Sequence, residues 1–356
     1  MRELVIDVTR LLSRGLQGRL PTGVDRVSLE FLRHFGDRAT ALVRIAGRWV
    51  ILNGTDSRRV FDELLAPSDS FGLVLRWCVG KGYALRWSAH AQCVLLNTGH
   101  SGLDQPDYAV QVRRRGMLPI FFLHDLIPLT HPEYCRAGEA AKHQQRLSTM
   151  IQEGRGLIVN SMDTQDTLER FASREGWPLP PCAVAHLAPA TLLQPALARP
   201  VAEPYFVMLG TLEPRKNHLL ILHLWRQLIG ELGSAAPRLV IIGQRGWECE
   251  QVVDLLERCE ILRSHVTEQS NCSDAELATW LTHSQALLFP SFVEGFGMPL
   301  VEALMLGVPV IASDLPVFQE IAANIPEYLD PLDGVGWRRV ILDYAQAQSQ
   351  LRQAQC

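Results

Sequence analysis

The chain is defined first by what it lacks. No apolar run reaches the ~18–20 residues a membrane span needs. Opposite charges nearly balance, at −4 over 356 residues, so no strongly basic face for nucleic acid is expected. The eight cysteines stand singly (Cys78, Cys93, Cys135, Cys182, Cys249, Cys259, Cys272, Cys356). None forms a C-x-x-C pair or a zinc spacing, so a reduced, cytoplasmic chain is expected. Met1 runs straight into a strand pattern, which argues against a signal peptide. No internal repeat or low-complexity tract interrupts the chain. No G-x-G-x-x-G follows the opening strands and no ribose-binding acid lies about twenty residues on, which argues against a nicotinamide oxidoreductase. No D-x-D stands at a strand end, so no metal site is expected.

What is present is an α/β pattern. Hydrophobic residues make up 47% of a length that suits two domains. From Tyr205 onward, short apolar runs alternate with helical stretches: Tyr205–Leu209, Lys216–Leu232, Leu239–Ile242, Glu248–Glu260, Ser264–Val266 and Asp274–Thr282. Such alternation predicts a parallel, doubly wound sheet. Ser273 and Glu276 form a capping box before the last of these helices.

The most informative stretch runs from Leu287 to Asp314, LLFPSFVEGFGMPLVEALMLGVPVIASD. An apolar strand over Ala286–Phe289 stops at Pro290. A helix starts at Pro299, the residue favoured at a first helical position, and places Glu302 in its first turn. Gly307 closes it, and Val308–Ala312 is a second buried strand. Ligands of such units sit where strands end and helices begin. Glu294 in the loop and Glu302 on the helix are two acids suited to hydroxyl groups of a sugar or ribose. Between them Gly295 and Gly297 bare backbone amides at a helix start, where an anion such as a diphosphate fits. A capped helix with an incidental acid is the plainer alternative.

A second anion signal comes after the strand Tyr205–Leu209. In Gly210-Thr211-Leu212-Glu213-Pro214-Arg215-Lys216-Asn217 a glycine turn delivers two cations to a helix start. Cations oppose the helix dipole there, which points to an anionic partner between them.

The first half reads less clearly. Leu4–Val8 is a strand, followed by a loop with Arg10, Arg14, Arg19, Gly15, Gly18 and Gly23. Thr22 caps a helix with Asp25 three residues on. Ala41–Ile45 and Trp49–Leu52 read as a strand pair. Over Phe71–His90, Arg76-Trp77 and Arg86-Trp87 flank Lys81 as a basic-aromatic patch, either a membrane-surface contact or ordinary packing with snorkelling cations. Leu118–Leu123 is a strand ending at His124-Asp125. Helix Gly138–Gly154, strand Leu157–Val159, a helix capped by Ser161 and strand Ala183–Leu187 complete this half. Four prolines in Pro189–Pro204 mark a linker.

The pattern E-G-F-G-x-P-x-x-E-A-x-x-x-G-x-P-V-I from Glu294 to Ile311 resembles the Glu-x7-Glu signature of the retaining glycosyltransferases of family 4. G-T-L-E-P-R-K-N resembles that family's diphosphate loop, although many members carry arginine where this chain has Thr211. Thr22–Glu30 is similar to an amino-terminal segment of a subgroup that builds bacterial polysaccharides, and Phe122–Tyr134 to the segment that carries the family's histidine.

The resemblance implies a GT-B fold, two Rossmann-like parallel-sheet domains facing a central cleft. The expected boundaries are 1–188 for an acceptor domain, 189–204 for the linker and 205–335 for a nucleotide-sugar domain. A final helix in 336–356, introduced by Asp330–Gly334, is expected to cross back. It implies a donor site of Gly210, Thr211, Arg215, Lys216, Gly243, Val266, Thr267, Glu268, Glu294, Gly295, Phe296, Gly297, Met298 and Glu302, with His124, Arg215, Lys216 and Glu294 in catalytic roles. Val266 to Glu268 would seat the base, and Gly243–Trp247 would lie beside it. The reaction implied is sugar transfer with retention from a nucleotide-diphosphate sugar to a saccharide or lipid-linked saccharide. No cofactor, metal or nucleic acid is expected, and any membrane contact would be peripheral. The subgroup favours GDP-mannose. The rival reading is a module that binds nucleotide sugars without turnover.

Overall fold

The computed structural model describes residues 3–85, 92–189, 195–196 and 198–355. The chain divides into two compact units, Met1–Leu129 with Gly138–His186, and Thr130–Ala137 with Leu187–Cys356. Arg86 and Trp87 of the expected basic-aromatic patch lie outside the described residues.

In the first unit, seven strands form one sheet: β1 (Leu4–Asp7), β2 (Ala39–Ile45), β3 (Arg48–Ile51), β4 (Val94–Asn97), β5 (Leu118–Leu123), β6 (Gly156–Val159) and β7 (Cys182–Val184). Their order is β3-β2-β1-β4-β5-β6-β7. Every pairing is parallel except β2 with β3. The connection between those two is Ala46-Gly47, with φ of 49° and 71°. Two consecutive left-handed residues make the tight turn whose twist matches an antiparallel hairpin.

The loop expected after β1 is instead a helix, Thr9–Leu16. Leu11 and Leu12 are buried under it, and that burial outweighs the arginines and glycines that read as loop. The expected cap of the next helix is present, with Thr22 N donating to Asp25 Oδ2 at 2.8 Å. Phe71–Leu85 is a continuous helix. Ser161 Oγ accepts from Thr164 N at 3.0 Å and starts helix Met162–Glu175.

The second unit carries β8 (Tyr205–Leu209), β9 (Arg238–Ile242), β10 (Val266–Gln269), β11 (Leu287–Phe289), β12 (Val310–Ser313) and β13 (Glu327–Leu329). All pair in parallel, in the order β10-β9-β8-β11-β12-β13. Successive residues of each strand enter opposite apolar layers. Phe206, Met208 and Leu288 join Trp225 and Trp337 on one face. Tyr205, Val207, Leu287 and Phe289 join Leu300 and Phe318 on the other. The last long helix, Gly334–Ala345, buries Trp337, Val340, Ile341 and Tyr344 in the first of these layers. No helix among the described residues is long and apolar enough to cross a membrane.

Strand order reverses between β8 and β11, because β9 lies on one side of β8 and β11 on the other. Loops leaving the carboxyl ends of those two strands therefore stand at a topological switch point, the place where ligands of such sheets bind.

Candidate functional site

Two loops leave that switch point: Gly210–Asn217 after β8 and Pro290–Gly297 after β11. Each is tightly built. A Cβ on Gly243, at the end of β9, would lie 2.0 Å from Gly210 O, so only glycine lets these two strand ends meet. Gly297 has a φ of 112°, and a Cβ there would lie 2.7 Å from Phe318 Cε1. Its lack of a side chain therefore serves close packing against Phe318 as well as the turn. The helix begins at Met298, one residue before the expected Pro299, which moves Glu302 from the first turn to the second.

Phe292 N donates to Arg215 O at 2.8 Å and joins the two loops. Glu294, 8% exposed, sits at the centre of a buried ion cluster. Its Oε2 accepts from Arg215 Nη1 at 2.6 Å, and its Oε1 accepts from Lys216 Nζ. Ser291 Oγ adds a 2.8 Å bond to Oε1. Glu213 holds the other terminal nitrogen of Arg215 at 2.6 Å. Glu294 of the chain itself thus pairs with both cations. No local pattern reveals this pairing, because Lys216 and Glu294 are 78 residues apart.

The electrostatics arise from burial and charge. Burial pushes the Glu294 carboxyl up, but Arg215 and Lys216 outweigh it and bring it down to about 2. Burial pulls the Lys216 ammonium below its usual value, with Glu294 opposing. Lys216 also lies 4.9 Å from the Phe289 ring centre. His218, which starts helix His218–Leu232, is 2% exposed, and neither ring nitrogen has a hydrogen-bond partner. Burial, with Lys216 beside it, pulls its imidazole down to about 3. Sequence patterns do not single out Ser291, Glu213 or His218, although Glu213 and His218 each lie two residues from Arg215 or Lys216.

The remaining expected residues of this unit lie on the two loops, at the end of β9, on helix Met298–Met305 or on strand β10. Gly210 lies against Lys216, where a Cβ would stand 3.4 Å from Cε. Thr211 approaches Gly246 of the Gly243–Trp247 loop. Glu302 is 5% exposed on helix Met298–Met305, and Phe296 is buried. Val266, Thr267 and Glu268 lie on edge strand β10, where Glu268 is bonded to Arg245 at 2.8 Å. Segment Thr130–Ala137 folds with this unit: Tyr134 stacks on Phe292 at 5.5 Å, and Trp247 Nε1 donates to Tyr134 O at 3.2 Å.

His124 belongs to the first unit. It comes directly after β5, is buried, and its Nε2 lies 2.7 Å from Thr98 O. His100 and His143 are close by, the His100 ring centre 5.0 Å from that of His124 and 6.0 Å from that of His143. Burial lowers the imidazole pKa of all three. No cluster of three or more histidine, cysteine or acidic residues suited to a metal occurs among the described residues.

Residues 191–325 match the family described as "Glycosyl transferases group 1". Over 248 residues the chain is 33% identical to serotype-specific mannosyltransferase WbdA of Escherichia coli, covering 64% of this chain. That stretch spans 30% of the length of WbdA. O-antigen chain mannosyltransferase B of Escherichia coli is 26% identical over 217 residues, covering 59% of this chain and 56% of that protein. Among solved structures, Anabaena Alr3699/HepE in complex with UDP and glucose matches 100% of this chain and 93% of its own, with a TM-score of 0.69 and 13% identity. That likeness is one of fold, and the two parallel-sheet units are those of the GT-B fold.

Proposed function

We propose that the chain is a retaining glycosyltransferase of family 4 that moves a hexose from a nucleotide-diphosphate sugar to a saccharide or lipid-linked saccharide. The observation that carries this is the buried cluster of Glu294, Lys216 and Arg215 at the switch point of the second unit. Neutral, apolar ligands have no use for a buried and a half-buried cation beside a carboxylate. A sugar diphosphate uses both, because phosphate oxygens accept from Lys216 and Arg215 while sugar hydroxyls donate to Glu294. Glu302 is assigned to the ribose hydroxyls and Val266 to Glu268 to the base. Mannose, with GDP as its carrier, is favoured because WbdA and O-antigen chain mannosyltransferase B are mannosyltransferases. Bacterial surface polysaccharide synthesis is the setting those relatives suggest.

Negative charge grows on the diphosphate as the glycosidic bond breaks. Fixed cations in a buried site stabilise that charge without a divalent ion, so metal-independent turnover belongs to the same reading. In a front-face mechanism a donor phosphate oxygen takes the acceptor proton, and no protein base is assigned.

Peripheral contact with an anionic membrane completes the proposal. Helix Phe71–Leu85 carries Arg76 and Lys81 and no carboxylate of its own, although Lys81 pairs with Asp56 at 2.8 Å. Leu73 is 72% exposed, and Trp77 is 55% exposed with Lys81 Nζ 5.0 Å from its ring centre. An apolar, aromatic and basic helix face is the kind that lies on lipid headgroups.

The test is release of nucleoside diphosphate from GDP-, UDP- and ADP-sugars. Slow release from one of them is expected. Binding of a donor without any release, with or without saccharide acceptors, would instead mark a non-catalytic module.

A further inference from the structure

The two cations assigned to the diphosphate are held by Glu294 in this structure. Both lone pairs of Oε1 are engaged, by Lys216 Nζ and by Ser291 Oγ, and Oε2 accepts from Arg215. A carboxylate has about four such positions, so roughly one remains for an incoming hydroxyl. Glu213 and Glu294 offset Arg215 and Lys216, two negative charges against two positive, and the cluster they form is neutral. A diphosphate entering it meets no net positive charge.

We propose that Glu294 is an exchangeable counter-ion that makes the site prefer the sugar-bearing donor over the free nucleoside diphosphate. The inference rests on the reading of the site as one for nucleotide sugars. When the intact donor binds, Lys216 and Arg215 pass to the diphosphate, and the released lone pairs of Glu294 accept hydrogen bonds from sugar hydroxyls. Every buried polar group keeps a partner through that exchange. When only the nucleoside diphosphate binds, the cations pass over in the same way, but Glu294 receives nothing in return. A buried carboxylate then loses its cationic partners and faces like charge, both of which are costly. The penalty falls on the product and not on the substrate, so Glu294 assists product release after each turnover. Ser291 keeps Glu294 in place while its cationic partners change.

The experiment is calorimetric titration of wild type, Glu294→Gln and Glu294→Asp with GDP, UDP, ADP and inorganic pyrophosphate. Glutamine keeps the shape and removes the charge that competes for the cations. It should bind the preferred nucleoside diphosphate, and pyrophosphate, about ten- to a hundredfold more tightly, the range set by hydrogen bonds to a charged group. Glu294→Asp keeps the charge with a shorter reach and should gain less than Glu294→Gln. Equal or weaker binding of the diphosphate by Glu294→Gln overturns the inference while leaving the site reading intact. Failure of all three proteins to bind any nucleoside diphosphate overturns the site reading, and the inference falls with it. If Glu294→Gln does not fold, wild type alone decides: the intact GDP-, UDP- or ADP-sugar must bind more tightly than its own nucleoside diphosphate, and the reverse order refutes the proposal.

Discussion

Four histidines, three of them buried and one half-buried, make stability depend on mild acid. His100, His124, His143 and His218 are all held below the ordinary imidazole value, chiefly by burial. The groups around them only partly offset this. His100 faces His124, His143 and Arg146; His124 faces Asp125, Asp25 and Arg10; His143 faces Asp125, Arg146 and Glu139; His218 faces Lys216. A group whose folded pKa is lowered contributes stability above its unfolded value, near 6.5, and that stability is lost as pH falls toward the folded value. The cost grows by about 1.4 kcal/mol per pH unit for each such group. At pH 5.5, His218, held at about 3, therefore costs roughly 1.4 kcal/mol relative to pH 7.5. His100, His124 and His143 add to it in the same direction. The His218 share alone is a sizeable part of the roughly 5–15 kcal/mol of a typical domain. Glu294 does not contribute in this window, because its stabilisation is lost only between about 4.5 and 2. Urea unfolding at pH 7.5, 6.5 and 5.5 measures the effect, read separately for the two units because they need not unfold together. His218→Leu should flatten the pH dependence of the second unit by about 1.4 kcal/mol at pH 5.5. Stability that is level from pH 7.5 to 5.5 would refute the reasoning.

Lys216→Ala should lower kcat about a hundredfold or more, the scale for loss of one group that stabilises developing negative charge, with little change in acceptor KM. An unchanged kcat with a raised donor KM would restrict Lys216 to ground-state binding. Turnover should persist in excess chelator, and activity lost there but restored by manganese would contradict catalysis by protein cations. Wild type should float with anionic vesicles in a salt-sensitive manner and not with zwitterionic ones, and Trp77→Ala together with Arg76→Glu should abolish it. Flotation indifferent to both salt and substitution would leave that helix face as ordinary surface.

The second unit was legible in the sequence because buried parallel strands read as continuous apolar runs set between helix caps. Ser273 and Glu276 form the expected capping box, and Gly307 has the expected left-handed φ of 68°. The first unit was harder. Helix Thr9–Leu16 carries glycine and polar residues within two turns, and only the burial of Leu11 and Leu12 fixes it. Strand β4 is four residues long, too short for a periodic signal. Glu294, Glu302, Arg215 and Lys216 could be named from local patterns. Their pairing could not, since bonds across 78 residues depend on which strands adjoin, and strand order is a property of the folded sheet. The sequence therefore shows the two cations but not that Glu294 lies between them.

The claim that this site takes a nucleotide-diphosphate sugar is tested most directly at Glu302, whose assigned contact is with the ribose and is present whether or not a sugar is attached. Wild type and Glu302→Gln are titrated calorimetrically with GDP, UDP, ADP and the corresponding sugar donors. The account predicts that one nucleotide binds, and that Glu302→Gln weakens the free diphosphate and the intact donor by a similar factor of about ten to a hundred. Binding that is unaffected by Glu302→Gln, or no binding of any of these nucleotides to wild type, would contradict it.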